Sequence, residues 1–431
     1  MLLYQRLAQD PLFRGMEKLI SAAGTEKKDS KKQKKNRQSL CEKVAGGLIA
    51  KGEELGLSGN LWQGYLSWLL AGDENVFSLA CERREASKEL LRFALMDMET
   101  VVRLFFADLR ELDREYGTPW FTMLIDYVNQ KRKTVLFATS IQKLTESLRE
   151  TASVKNAEAF LGALRSYYEG NGVGEFGFYR AFRLELTGTN GVQLKPIPEP
   201  DEVRLSDLVG YELQKEKLLA NTEAFVKRRA ANNCLLFGPA GTGKSSSIKA
   251  LLSEYGDQGL RILELYKHEM FALPKILEKL RGRNYRFIIF MDDLSFEDSE
   301  TDYKYLKAVM EGGLEKKPDN VLIYATSNRR HLIRESFTDR EEGENDLHKN
   351  DTVQEKLSLA YRFGITIYFG SPNQKEFQNI VRSLAGRYAI DLPEAELLLE
   401  ANRFELTHGG LSGRTAQAFI DYLRGREKPV E

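Results

Sequence analysis

The stretch GPAGTGKS, residues 238 to 245, constrains the fold of this 431-residue chain more than any other. It satisfies G-x-x-x-x-G-K-[ST] and lies between a short apolar run, NCLLF, and SSSIKALLSEY, which has helical spacing. Gly238, Gly241 and Gly243 let the backbone curl so that successive N–H groups face phosphate oxygens. A helix opening at Lys244 adds the positive end of its dipole. Lys244 can reach the β- and γ-phosphates of a nucleoside triphosphate, and the Ser245 hydroxyl can complete a magnesium shell. Pro239, Ala240, Thr242 and Ser246 complete the expected nucleotide-binding stretch. The expected cofactors are ATP and Mg2+.

From residue 201 onward, helix and strand patterns alternate. YELQKEKLLANTEAFVKRR reads as a helix, NCLLFG and RILELY as strands, FALPKILEKLRG as a helix and RFIIFMD as a strand. YKYLKAVMEGGLE is again helical, and VLIYATS and ITIYFG are strands. Solidly apolar strands alternating with helices imply a parallel sheet covered on both faces. The expected fold class is therefore α/β, with a parallel five-stranded sheet between helices over residues 201–370 and a small helical lid over 371–431. Residues 1–170 are charged and poor in glycine, with apolar residues spaced by three and four, and predict a mainly helical accessory domain. Residues 171–200 read as a linking segment: a short hairpin turning at Asn190-Gly191, then KPIPEPDEV, stiffened by Pro196, Pro198 and Pro200.

Several polar residues fall where such a sheet would present its carboxyl edge. Asp292 ends RFIIFM, a strand expected beside the phosphate-loop strand, and is placed to hold magnesium. Asp293 follows as the acid expected to polarise water. Relative to glutamate it is shorter by about 1.5 Å, and a misplacement near 1 Å can cost ~10²-fold in rate, so slow turnover is expected. Glu297, just beyond, is the alternative acid. Asn328, after VLIYATS, could orient the lytic water. Arg362, just before the last strand, could stabilise transition-state charge in a neighbouring subunit's nucleotide. Arg414, opening a lid helix in GGLSGRTAQAF, could clamp the γ-phosphate.

Composition narrows the setting. Lys plus Arg and Asp plus Glu are both 63, so global charge points to no polyanionic partner. The basic run KKDSKKQKKNR (27–37) has no interleaved aromatics to stack bases and reads as a solvated loop. Cys41, Cys81 and Cys234 are far apart and form no CxxC pair, which argues against a zinc site and fits a reducing, cytoplasmic compartment. No stretch approaches the ~18 apolar residues of a membrane span, and no membrane partner is expected.

Taken in order, the phosphate loop, tandem acids, Asn328, Arg362 and Arg414 resemble the AAA+ family of P-loop ATPases over about residues 200 to 425. More narrowly, LRGRNYRFIIFMDDLSFE, ATSNRRHL, EKLSLAYRFG and LSGRTAQAF resemble a bacterial group catalogued as domain of unknown function 815. The resemblance implies that LSDLVGYE (205–212) leads into the core, with Val209 and Gly210 at the nucleotide. It also implies a homo-oligomer, such as an ATP-dependent hexamer, acting on a protein or nucleic-acid client. Asp-Asp in place of Asp-Glu also occurs in replication initiators and helicase loaders of the AAA+ class, so Asp293 is compatible with hydrolysis. Tyr361 stands where the narrower group more often has an acidic residue, which leaves the local partner of Arg362 open. Three readings follow: a motor with LYKHEMF (265–271) as a client-gripping loop through Tyr266 and Lys267, a slow ATP-dependent switch or loader, and a binding module without hydrolysis.

Overall fold

The computed structural model describes residues 1–23, 31–130, 136–151, 156–187, 191–296, 300, 302–311, 317–329, 332 and 359–426. The chain divides into two compact units, Met1–Tyr179 and Arg180–Glu431. The first is helical, with one isolated bridge between Gly59 and Tyr127. Its core gathers large aromatics such as Trp62, Tyr4, Tyr168 and Phe105, all fully buried. Polar groups inside it are matched to partners: Trp62 Nε1 donates to Leu104 O at 2.7 Å, and the Asp97 carboxylate accepts the amides of Leu2, Leu3 and Tyr4. Residues 31–37 of the basic run open the helix Lys31–Leu55 instead of a loop. Lys, Gln and Arg are good helix formers, and a helix that buries Cys41, Val44 and Leu48 further on extends back through them.

The second unit is built on one seven-stranded sheet in the order β2-β1-β4-β5-β6-β3-β7. The strands are β1 (Ala181–Thr187), β2 (Gly191–Ile197), β3 (Cys234–Phe237), β4 (Leu260–Glu264), β5 (Arg286–Met291), β6 (Val321–Ser327) and β7 (Ile365–Tyr368). The five expected strands form its parallel part; β5 and β6 are almost wholly buried, as apolar runs between two helical layers must be. Two features differ from expectation. The hairpin is no linker, because β1 pairs in parallel with β4 and antiparallel with β2, so the sheet has seven strands. Burial of Phe182, Leu184, Val192 and Leu194 on one face is the cause. Of the expected turn, Asn190 lies outside the described residues.

The second correction concerns strand order. β5, which carries the tandem acids, pairs with β4 and β6, whereas β3 pairs with β6 and β7. The acid strand is therefore one strand removed from the phosphate-loop strand. At roughly 4.8 Å per strand, the axes of β3 and β5 lie about 10 Å apart, and side chains such as Ser245 and Asp292 reach across that interval to meet. Below this edge the helix Glu212–Val226 buries Leu218 and Phe225 against the sheet, and the lid helices Gln374–Arg387, Glu394–Thr407 and Gly413–Arg426 close around their own core of Phe377, Val381, Ala416 and Phe419.

Candidate nucleotide site

Register places the site. Phe237 of β3 lies opposite Ser327 of β6, and Met291 of β5 opposite Ala325, so three strand ends meet at one carboxyl edge. Beyond them the backbone turns sharply: φ is 142° at Gly238, 76° at Gly241 and 87° at Gly243. A Cβ on Gly238 would sit 2.0 Å from the carbonyl oxygen of Phe369, and one on Gly241 would meet Ser412 Oγ and Arg414 Cβ at 3.0 and 3.1 Å. The loop is thus wedged between the β7 end and the lid. Gly243 starts the helix Lys244–Tyr255 in a left-handed conformation.

Side chains at this edge form one hydrogen-bonded chain. Buried Lys244 donates through Nζ to the carbonyl oxygens of Gly238 and Pro239, each at 2.7 Å, and to Asn328 Oδ1 at 3.2 Å. Asn328 Nδ2 donates to Asp293 Oδ1 at 2.7 Å, which fixes the amide's orientation. The Thr326 hydroxyl accepts from the Asp293 amide at 2.9 Å and donates to Asp292 Oδ1 at 2.5 Å, where Ser245 Oγ also donates at 2.6 Å. Asp293 itself has φ 49°, in the left-handed region. Burial pushes the Lys244 ammonium below the ordinary lysine value; Asp293 and Asp292 pull against that shift, and Arg414 adds to it.

These groups line a cavity of about 610 Å³ with Ala240 to Ser247, Val209, Leu208, Arg414 and Gln417. That size suits a nucleotide. One end is apolar, between Val203, Leu208 and Val209 of the core and Ile380 and Leu384 of the lid. The leading segment is tied down from several sides. Ser253 Oγ donates to Val203 O at 2.8 Å, Lys215 Nζ donates to Leu208 O, and Asp207 joins Arg387 of the lid at 3.1 Å. The lid touches the loop directly, with Arg414 N donating to Gly241 O at 3.3 Å.

The structure brings together Val209, Ala240, Gly241, Thr242, Gly243, Lys244, Ser245, Ser246, Asp292, Asp293, Asn328 and Arg414. Gly238, Pro239 and Gly210 flank the cavity without lining it, and Glu297 lies outside the described residues. Arg362 lies elsewhere: it precedes β7, whose Ile365 pairs with Cys234 at the start of β3, so it sits at the amino edge, away from its own phosphate loop. Its guanidinium is held by Glu311 at the end of the helix Tyr303–Glu311, a partner from a distant element where adjacent Tyr361 is exposed. Sequence reasoning missed Thr326, Asp207, Arg387 and Gln417. A hydroxyl two residues before Asn328 was the available signal for Thr326; the other three look like ordinary surface residues in sequence.

The donor set also bears on a metal. Ser245, Asp292 and Asp293 offer hard oxygen donors, and Asp292 Oδ2 takes no hydrogen bond among the described residues. No group of three His, Cys, Asp or Glu among the described residues could hold a metal unaided. Hard oxygen donors of the kind offered by Ser245 and Asp292 suit magnesium, which also keeps waters and shares phosphate oxygens.

The family model described as "Protein of unknown function (DUF815)" matches residues 178–427, more than half of the chain. The chain belongs to that family. The matched span of the DUF815 protein nearly coincides with its second unit, which holds the parallel strands, the phosphate loop and the helical lid. Solved structures similar to it include the Thermotoga maritima RuvB Holliday junction branch migration motor, at 16% identity over 52% of this chain and 72% of that chain, TM-score 0.33. The FIGL-1 AAA domain in complex with ADP is similar at 19% identity over 52% of this chain and 74% of that chain, TM-score 0.36. No curated protein matches.

Proposed function

We propose that this DUF815 protein is a magnesium-dependent ATPase that works between copies of itself and couples turnover to remodelling a protein or nucleic-acid client. The observation that carries the reading is the bonded chain Lys244–Asn328–Asp293 beside Asp292, Ser245 and Thr326 on one cavity. In it, the curled loop amides and Lys244 hold the terminal phosphates. Ser245 and Asp292 would hold a magnesium ion, which would neutralise phosphate charge. Asp293, positioned by Asn328, takes the proton of the attacking water. Arg414 faces the nucleotide from the lid, and the apolar end takes the base.

Arg362 acts in trans in this reading, since it lies at the sheet edge away from its own cavity. Exposed Tyr266, which stacks on His268, is the candidate client grip; Lys267 is less free, paired with Glu300 and set over the Phe296 ring at 5.3 Å. Cys41, Cys81 and Cys234 are all unpaired and buried, which supports a cytoplasmic setting. No helix among the described residues is long and apolar enough to cross a membrane. The slow-switch reading draws on a separate observation: one Asp293 carboxylate oxygen is already occupied by Asn328, which restrains it as a base.

The deciding experiment is calorimetry with Mg-ATP, alongside phosphate release, on the wild type and Lys244→Ala. Binding and turnover are expected in the first and neither in the second. An Lys244→Ala chain that binds and turns over like wild type would sink the proposal.

A further inference from the structure

A second cavity, of about 590 Å³, opens at the amino edge of the sheet, where β5 and β6 begin and the chain approaches β3. Arg228, Arg229, Arg286 and Lys317 line it, against the carboxylates of Glu311 and Asp319. Both carboxylates have calls on them already. Glu311 holds Arg362, and Asp319 lies beside Arg286, which also donates to the Asp319 carbonyl at 2.9 Å. Phe225 forms a wall, with the Arg286 guanidinium 5.2 Å from its ring centroid.

Lys317 is the telling member. Its ammonium donates to Asn233 Oδ1 at 3.0 Å, and that oxygen also accepts from the Ile323 amide, so it is fixed in place. An ammonium has three protons to donate. Burial pushes Lys317 down to about 8, and no carboxylate among the described residues offsets the shift. A half-buried cation with no counter-ion among the described residues is costly, since such groups are normally paired. The guanidinium groups of Arg228, Arg229 and Arg286 line the same cavity, and such groups match phosphate oxygens two at a time.

We propose that this amino-edge cavity is an anion site for a phosphate-class dianion, separate from the nucleotide cavity. Among the described lining residues four cations face two carboxylates, which leaves the charge that a dianion would balance. The anion would sit against Lys317 and Arg286, with Arg228 and Arg229 closing over it from the rim. It would be supplied either as free phosphate or as the terminal phosphate of a nucleic-acid strand.

The test follows the Lys317 ammonium by NMR after ¹³C-dimethylation of the full-length chain, the resonance being assigned with Lys317→Met. Inorganic phosphate is expected to raise the pKa of Lys317 by a unit or more. Arg228→Gly should weaken that response at least ten-fold. Arg228 has φ 59°, where glycine is favoured, so this variant removes a cation without straining the fold. A 5′-phosphorylated oligonucleotide acting at lower concentration than free phosphate would assign the site to strand ends; free phosphate acting alone would assign it to a soluble anion. If Lys317 titrates identically with and without both probes, or responds equally in Arg228→Gly, there is no such site.

Discussion

Asp293 has a positive φ, a region in which Asp and Asn are several-fold enriched. Its backbone explains why a short acid stands there: a left-handed turn costs roughly 1–2 kcal/mol for most side chains, and Asp is among those that tolerate it. Asp293→Asn should therefore fold normally and keep ATP affinity while phosphate release falls by ~10²-fold or more. Asp293→Glu should release phosphate no faster than wild type; a faster Glu variant would show that reach, not backbone, limits the acid. Lys317 supplies a pH prediction. Its folded pKa, about 8, lies below the ordinary lysine value, so the unfolded chain holds the proton more tightly between those pH values. Below pH 8 the full cost of burial is present, and it is relieved as pH rises toward about 10. In phosphate-free buffer Lys317→Met should be more stable than wild type by up to ~3 kcal/mol at pH 7. That advantage should shrink as pH rises, and denaturant melts at pH 7 and 10 would reveal a gap that fails to narrow. Lys244, Ser245 and Asp292 were legible in sequence because one short motif and one strand end fix them. Arg387 was not, because its role depends on which lid helix meets residue 207.

At the scale of elements, apolar runs such as RFIIFM and VLIYATS announced their strands, and the lid helices followed from their spacing. The order of those strands was hidden, because pairing is decided by how crossovers return to the sheet rather than by any strand's own composition. The hairpin was misjudged for a related reason: its glycines and prolines describe turns, while its fate depends on an apolar face finding β4. The lid and the core's leading segment are joined across the cavity by Asp207 and Arg387, and Asp207 Oδ2 also accepts the Arg204 amide at 2.9 Å. Because both side chains line the nucleotide cavity, the pair should tune binding. Asp207→Ala and Arg387→Ala are each expected to weaken ATP binding several-fold, and the double variant by less than the product. Fully multiplicative losses in calorimetry would mean that the two act independently.

For the molecule as a whole, the proposed division of labour puts the phosphate loop at one edge of the sheet and Arg362 at the other. Activity per chain should rise with protein concentration. Arg362→Ala should be nearly inactive alone and recover when mixed with Lys244→Ala, which lends an intact arginine; failure at every mixing ratio would remove the trans role. Glu311 competes for the same guanidinium within the single chain. Glu311→Gln should lower the concentration needed for half-maximal turnover, and a rise would show that Glu311 instead aims the arginine. Oligomerisation must also reckon with the outermost strand. β2 is seven residues long and includes Pro196, which has no N–H to offer a newcomer, and Lys195 stands next to it. The opposite border, β7, has only four residues. Both rims discourage an added ribbon of backbone, so copies of this protein should meet through side chains rather than through one continuous sheet.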